Sequence, residues 1–201
     1  MKGVNKMYQK ILKRIFDIVI ALLLLILLIP FFIVISLMIK IEDHGPVFYN
    51  ALRLGKNGVI FKMFKFRTMK VNAPDIRNED GSTFNSELDP RLTRIGKLLR
   101  KSSLDEIPQL INVLIGNMSL VGPRPDLPEH YDLYTPLEKK KLLVLPGITG
   151  YNQALFRNSI PWKQRLQKDI YYVENISFNF DIKIIIKTFS NVIMKKNVFG
   201  G

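Results

Sequence analysis

The segment that decides the fold is residues 18–39, which contain no charged side chain and read Ile-Val-Ile-Ala-Leu-Leu-Leu-Leu-Ile-Leu-Leu-Ile-Pro-Phe-Phe-Ile-Val-Ile-Ser-Leu-Met-Ile. As a helix this segment would extend about 33 Å, which is enough to cross the hydrocarbon core of a bilayer. The run is longer than the apolar core of a usual signal peptide, and no small-residue cleavage site follows Lys40. The sequence therefore predicts a membrane-associated helix.

Two features leave the topology of this helix open. Pro30 lies near its middle, where a proline removes a backbone hydrogen bond and kinks or breaks a helix. Basic residues flank both ends, so the positive-inside tendency gives no orientation; they are Lys6, Lys10, Lys13 and Arg14 before it, and Lys40, Arg53, Lys56 and Lys62 after it. A re-entrant helix, broken at Pro30 and leaving by the face it entered, satisfies both flanks. A simple span is the alternative.

Composition bounds the class of protein. The chain has 201 residues, which suits one domain with an appendage, and we divide it into a membrane segment, 1–41, and a main domain, 42–201. The absence of cysteine excludes disulfides, thiolate catalysis and cysteine–zinc sites. A net charge of +13 indicates an anionic partner, which could be nucleic acid, acidic lipid or a phosphorylated substrate.

The sequence that follows the membrane segment predicts an α/β fold that is mostly helical, with small β elements. Residues 47–52 and 59–69 read as two strands around a turn at 55–58, and alternation places Lys65 and Arg67 on one face. Helical periodicity follows at 91–101, 105–118, 134–145 and twice within 161–196, with a break near Asn175. The basic, leucine-bearing 91–101 segment suits an amphipathic helix on an anionic membrane surface.

Two adjacent acids, Asp105 and Glu106, are conspicuous in so basic a chain. Ser103 and Glu106 fit a capping box, whereas Pro108 favours a start nearer Asp105, so the register stays open. Neighbouring residues on a helix point roughly 100° apart, so the carboxylates would divide their tasks between nucleophile and metal or water ligand. The plain alternative is two first-turn acids that stabilise a helix.

A rigid loop, Gly122-Pro123-Arg124-Pro125, follows this pair. Each proline restricts the residue before it, which holds Arg124 in place at low entropic cost and suits bidentate recognition of a phosphate. A structural turn with a solvent-facing arginine is the simpler interpretation. A second tight loop, Pro146 to Gly150, would allow close approach of a ligand.

Five motifs in order carry a family resemblance over nearly the whole length: Lys13-Arg-Ile-Phe-Asp17, Lys65-Phe-Arg-Thr-Met69, Ser103-Leu-Asp-Glu-Ile-Pro-Gln109, Met118-Ser-Leu-Val-Gly-Pro-Arg-Pro125 and Pro146-Gly-Ile-Thr-Gly150. Any one of them is weak, but together they are specific. The chain resembles the small, PglC-like type of monotopic phosphoglycosyl transferase, a family of bacterial sugar transferases.

The resemblance implies transfer of a phosphosugar from a UDP-sugar to undecaprenyl phosphate, with release of UMP, as the first membrane step of glycan assembly. It implies Asp105 as the nucleophile of a covalent aspartyl-phosphosugar intermediate and Glu106 as a ligand of Mg²⁺. It also implies a re-entrant helix in the inner membrane, with the active site on the cytoplasmic face. The expected substrate-binding residues are Lys65, Arg67, Arg100, Pro123, Arg124, Pro125, Gly147 and Asp169.

Two rival hypotheses remain at this point. A membrane-anchored basic protein that binds anionic lipid or nucleic acid without catalysis explains the charge but not the acid pair. No nucleic-acid-binding motif is visible, so no nucleic-acid partner is expected. A metal-dependent transferase without a covalent step is the other rival. The expected partners are a UDP-sugar, undecaprenyl phosphate and inner-membrane lipid, with a homodimer as one option.

Overall fold

The structure is a computed structural model that describes residues 7–77, 84, 86, 88–156 and 159–194. It confirms a mostly helical fold with small β elements. The helices are α1 (Lys13–Asp43), α2 (Arg94–Ser102), α3 (Gln109–Ile115), α4 (Tyr151–Leu155), α5 (Trp162–Glu174) and α6 (Phe178–Ile193). The strands are β1 (Phe48–Leu54), β2 (Ile60–Phe66), β3 (Ser119–Val121) and β4 (Gly147–Thr149).

Helix α1 contains the apolar segment and runs uninterrupted past Pro30. The predicted break at this residue is therefore wrong. Proline has no N–H, so the carbonyl of Ile26 loses its helical partner, but the flanking turns keep helical geometry. Within the described residues α1 is the one helix long and apolar enough to cross a membrane. It ends at Asp43, where His44 adopts a left-handed conformation.

Both ends of α1 are fastened to the same globular body. At its start Arg14 donates to the carbonyl of Val113 over 2.6 Å, and at its end Glu42 accepts from the backbone N–H of Arg94, also over 2.6 Å. One stripe of the helix is buried, and its members include Asp17, Ala21, Ile35 and Ile39. The opposite stripe is apolar and exposed; it includes Val19, Leu23, Ile26, Leu27, Ile33, Val34 and Leu37. This stripe is the surface that α1 offers to lipid.

The predicted strands form the antiparallel hairpin β1–β2, in which Tyr49 pairs with Lys65. Alternate residues bury one face against the body, including Ala51, Phe61 and Met63. Asn112 of α3 fixes this hairpin, because its side-chain amide donates to the carbonyl of Lys62 (2.7 Å) and accepts from the N–H of Phe64 (2.8 Å). The hairpin and α3 therefore form one support for the residues between them.

The amphipathic helix predicted over 91–101 is present as α2, starting at Arg94 because Thr93 caps it through a bond from the N–H of Gly96 (2.9 Å). Arg91 instead lies before the helix and is paired with Asp89. A side chain at Gly96 would collide with the backbone of Thr68, two residues after the end of β2, because a Cβ there would lie 1.9 Å from the carbonyl oxygen of Thr68. This glycine allows α2 to pack directly on that segment.

The helix predicted over 105–118 is shorter than expected. A 3₁₀ turn, Leu104–Glu106, comes first, and α3 begins only at Gln109. Ser103 is left-handed (φ 58°) and its side chain makes no cap bond, so the capping-box interpretation is wrong. Pro108 takes the N-cap position of α3, where its missing N–H costs nothing. The helix predicted over 134–145 is replaced by a 3₁₀ turn, Glu138–Leu143, and another 3₁₀ turn, Pro128–Leu133, precedes it.

The C-terminal part closes the fold. Strands β3 and β4 pair in parallel, and α5 and α6 are separated at Asn175 as predicted. Asp181 of α6 accepts hydrogen bonds from Tyr8 (2.6 Å), Lys13 (2.6 Å) and Tyr172 (2.7 Å). This buried network ties the start of α1 to the last two helices.

Candidate active site

The two acids lie in the 3₁₀ turn between α2 and α3, facing the end of β2. Lys65 reaches across from β2, and its Nζ lies 2.7 Å from Oε1 of Glu106 and 3.9 Å from Oδ2 of Asp105. The guanidinium of Arg124 lies 3.4 Å from the same Glu106 oxygen. The structure thus brings together four residues that the sequence nominated.

Electrostatics separates the two carboxyl groups. Burial alone would raise the pKa of Glu106, but the charges of Lys65 and Arg124 and their hydrogen bonds lower it to about 2. Burial raises the pKa of Asp105; the more distant Lys65 offsets only part of this effect, and the charge of Glu106 adds to it. Glu106 is therefore an ionised carboxylate paired with two cations, whereas Asp105 lies farther from Lys65 and has the greater proton affinity.

The loop that carries Arg124 is fixed through its backbone. The N–H of Gly147 donates to the carbonyl of Pro123 (3.0 Å), and the N–H of Gly122 donates to the carbonyl of Thr149 (2.8 Å). A Cβ on Gly147 would lie 2.0 Å from the nitrogen of Gly122, so the two segments meet only because residue 147 is glycine. Gly147 thus positions the loop, rather than offering a surface to substrate as the sequence suggested.

Pro123 and Pro125 line a shallow depression on either side of Arg124. The side chain of Arg124 is half exposed there, and its pKa is raised, chiefly by the negative charge of Glu106. The loop therefore presents a fixed cation beside the acid pair, as predicted.

A second cluster lies beneath this loop. The Nζ atom of Lys141 donates to the carbonyl of Arg124 (3.1 Å) and pairs with Asp126 (2.7 Å) and Asp169 (2.9 Å). Tyr134 also donates to Asp126. Lys141 is only 3% exposed and Asp169 2%, so neither can touch a substrate on the surface. The expectation of Asp169 as a direct substrate ligand is therefore wrong, because its ion pair with Lys141 holds it inside.

Burial and pairing also set the pKa values of this cluster. Burial would lower the pKa of Lys141, but Asp126 and Asp169 together raise it. Burial would raise the pKa of Asp126, but Lys141 and Tyr134 lower it. Burial raises the pKa of Asp169 to about 6, with Lys141 opposing. Sequence reasoning missed Lys141, because the run Lys139-Lys140-Lys141 looks like a solvated charge cluster.

Arg67 and Arg100 have different positions from those expected. Strand β2 ends at Phe66, so Arg67 does not continue the face of Lys65; it pairs with Asp43 and donates to the carbonyl of Pro46. Arg67 therefore fastens the end of α1 instead of binding substrate. Arg100 donates to the hydroxyl of Thr68 (3.0 Å), and its charge interacts with that of Asp105. Arg100 remains beside the site.

The donor set is compatible with a magnesium ion that a substrate completes. Within the described part of the chain, no group of three or more His, Cys, Asp or Glu side chains could hold a metal. Magnesium is commonly bound by one or two protein carboxylates together with substrate phosphates, and Asp105 and Glu106 are such a pair. Glu106 as a Mg²⁺ ligand stays a prediction.

Fold and site together define a membrane-associated enzyme that carries an acid pair among fixed cations, a composition suited to group transfer on phosphate. Comparisons with known proteins agree. Residues 8–195 match the family model described as "Bacterial sugar transferase", and the chain belongs to that family. The enzyme class predicted from the sequence, a phosphoglycosyl transferase, is confirmed.

Individual relatives cover most of the chain. It is 40% identical over 188 residues to the sugar transferase EpsL of Bacillus subtilis, covering 94% of this chain and 90% of the relative. It is 39% identical to the exopolysaccharide production protein ExoY of Sinorhizobium fredii, covering 93% and 88%. It is also 40% identical to the UDP-glucose:undecaprenyl-phosphate glucose-1-phosphate transferase of Escherichia coli, covering 94% of this chain and 40% of that longer protein.

Proposed function

We propose that the protein transfers a phosphosugar from a UDP-sugar to undecaprenyl phosphate and releases UMP, as the first membrane step in the assembly of a glycan. The observation that carries this proposal is the cluster of Lys65, Asp105, Glu106 and Arg124, on a body that also holds a lipid-facing helix. The name of the Escherichia coli relative supports the two substrates, because it specifies UDP-glucose and undecaprenyl phosphate for that protein.

In the proposed reaction the carboxylate of Asp105 attacks the phosphorus that bears the sugar. The bond from that phosphorus to the UMP oxygen breaks, and an aspartyl-phosphosugar forms. A phosphate oxygen of the acceptor then attacks the same phosphorus and releases Asp105. Both attacks bring an anion to an anionic phosphate, so cations must neutralise the developing negative charge. Lys65 and Arg124 supply positive charge at fixed positions.

The two acids then have different roles. Glu106, with a pKa of about 2, stays ionised and holds Lys65 and Arg124 in place. Asp105 combines a nearby cation with a raised pKa, which suits an attacking group. Mg²⁺, which Glu106 and the donor phosphates would hold, supplies further positive charge when bound.

We also propose that α1 is re-entrant, turning back by a bend at Pro30 within a continuous helix, and that the active site lies on the cytoplasmic face. The fastening of both helix ends to one body supports this, since a polar body cannot stand on both sides of a bilayer. The chain has no cysteine, so single cysteines at Met7 and Lys56, both exposed, report their own side of the membrane. Both should be labelled only from the cytoplasm, and periplasmic labelling of Met7→Cys alone would contradict the topology.

The activity is tested by incubating the purified full-length protein with undecaprenyl phosphate, Mg²⁺ and a panel of UDP-sugars. We expect release of UMP with at least one of them, together with a lipid-linked sugar phosphate. Asp105→Asn should reduce the rate by a factor on the order of 1,000 or more, because the nucleophile is lost. If no UDP-sugar gives UMP while the protein remains folded, the proposed reaction is wrong.

A further inference from the structure

A further cation, Arg53, stands beside the proposed donor site. It lies on β1, and the two-residue alternation of the strand places it on the same face as Tyr49, the cross-strand partner of Lys65. The N–H of the next residue, Leu54, donates to the carbonyl of Asp126 (2.9 Å), so the end of β1 is joined directly to the loop of Arg124. Arg53 therefore extends the row of cations that begins at Lys65 and continues through Arg124.

The charge of Arg53 has no carboxylate in contact with it in the described part of the chain, and the charge of Asp126 acts on it only from beyond ion-pair distance. Its side chain is partly buried and donates to the neighbouring carbonyl of Leu52 (2.8 Å), a bond to a neutral group. Across the ranges that the structure describes, no carboxylate lies within 4.0 Å of its guanidinium. Arg124, in contrast, has Glu106.

The two guanidinium groups also repel each other. Burial lowers the pKa of Arg53, and the positive charge of Arg124 lowers it further, whereas the negative charge of Asp126 opposes only part of this shift. A partly buried, unpaired cation beside a like charge is unfavourable unless an anion joins it. The arrangement is therefore that of a binding site for an anion.

Resting on the proposed function, we propose that Arg53 binds the phosphate of the UDP-sugar that departs with the nucleoside. The sugar-bearing phosphorus must lie at Asp105, next to Lys65, so the second phosphate and the nucleoside extend away from Asp105. Arg53 is four residues along β1 from the partner of Lys65, about 13 Å between backbones at the rise of a strand, so the long side chains of Arg53 and Lys65 would converge beside the Arg124 loop to meet two adjacent phosphates.

The chemistry of the departure fits this position. As the bond between the sugar-bearing phosphorus and the bridging oxygen breaks, that oxygen keeps the electron pair and UMP leaves with one more negative charge. A guanidinium can donate two parallel N–H bonds to such a phosphate, and these bonds strengthen as its charge grows. Arg53 would thus stabilise the leaving group, while Lys65 and Arg124 act at the reacting phosphorus.

The test compares Arg53→Gln with Lys62→Gln. Lys62 lies on the opposite, exposed face of the same hairpin, and its substitution removes the same charge. In the UMP-release assay Arg53→Gln should lower kcat/KM for the UDP-sugar about tenfold to a hundredfold, with the KM for undecaprenyl phosphate unchanged. Inhibition by added UMP should weaken by a similar factor. Lys62→Gln should match the wild type in all three.

Arg53→Lys guards against a merely structural effect. It keeps the charge but loses the planar fork, so its kcat/KM for the UDP-sugar should fall less than that of Arg53→Gln. Its melting temperature should equal that of the wild type. If UMP inhibits Arg53→Gln and Lys62→Gln equally strongly, the assignment of Arg53 is wrong. A wild type that turns over normally in that experiment leaves the proposed function intact, so the two failures are distinguishable.

Discussion

Two clusters of cations and carboxylates meet at the Arg124 loop, and they differ in access to solvent. The open cluster consists of Lys65, Asp105, Glu106 and Arg124, and its arginine side chain is half exposed. The closed cluster consists of Asp126, Tyr134, Lys141 and Asp169, and its lysine is 3% exposed. The side chain of Arg124 belongs to the first, whereas its carbonyl accepts a bond from the lysine of the second.

The comparison shows that similar residues acquire different tasks through burial. Each cluster contains one carboxyl group with a lowered pKa, Glu106 or Asp126, and one with a raised pKa, Asp105 or Asp169. In the closed cluster the cation is shared between two acids and cannot reach a ligand, so it can only position the loop. In the open cluster the cations remain within reach of a substrate phosphate.

Among the cations of the two clusters, the largest effect is expected from Lys65→Gln, which removes the cation nearest to both acids. Loss of a fixed charge at the developing anion should reduce the rate of UMP release about a hundredfold or more. The pKa of Asp105, already raised by burial, loses its main opposing charge and should rise further. Because the nucleophile must be ionised, the acid limb of the pH–rate profile should move to higher pH. If the acid limb of the pH–rate profile does not move, Lys65 does not influence the ionisation of Asp105. Lys62→Gln serves as the control.

A smaller effect is expected from Lys141→Met in the closed cluster. Two buried carboxylates lose their cation, so the free energy of unfolding should fall by about 3–5 kcal/mol in urea titrations. UMP release should also slow, because the carbonyl of Arg124 loses its donor, and Lys141→Arg should recover part of both losses. The matched control is Lys140→Met, whose ion pair with Glu174 is about half exposed on both sides and is worth at most about 1 kcal/mol. If the two lysines behave alike, the closed cluster has no positioning role.

The smallest effect is expected from Asp169→Asn, measured as stability against pH. The raised pKa, about 6 in the fold against an ordinary 3.8, means that the folded state holds a proton that the unfolded chain has released between these values. The stability from this group is present below pH 4 and is lost as pH rises through 6. Between pH 4 and pH 7 the free energy of unfolding of the variant should therefore rise, relative to that of the wild type, by up to about 3 kcal/mol. Parallel stability curves for the two proteins would contradict the raised pKa.

The sequence predicted the parts of the site that depend on local composition. Asp105, Glu106 and Arg124 stood out from a basic chain, and strand alternation pointed Lys65 toward one face. It also predicted the apolar helix, the hairpin and the two C-terminal helices. These features depend on residue spacing, which a single chain displays.

What the sequence left undecided depends on tertiary contacts. The role of Lys141 follows from its burial between Asp126 and Asp169, and nothing in a run of three lysines distinguishes the third. Arg67 was assigned to the substrate site because of its spacing from Lys65, but β2 ends one residue too early and Asp43 captures it. The sequence left the start of this helix open between a cap at Ser103 and a start nearer Asp105, whereas the structure has a 3₁₀ turn there and begins α3 at Gln109.

The central claim, that Asp105 is the attacking group of the open cluster, is tested most directly by trapping the intermediate. The protein is incubated with a UDP-sugar and Mg²⁺ but without acceptor, digested, and analysed by mass spectrometry. We predict a sugar-phosphate adduct on Asp105, formed by the wild type and by Glu106→Gln but not by Asp105→Asn, and discharged when undecaprenyl phosphate is added. An adduct on another residue, or steady turnover by a wild type that never carries one, would contradict the account.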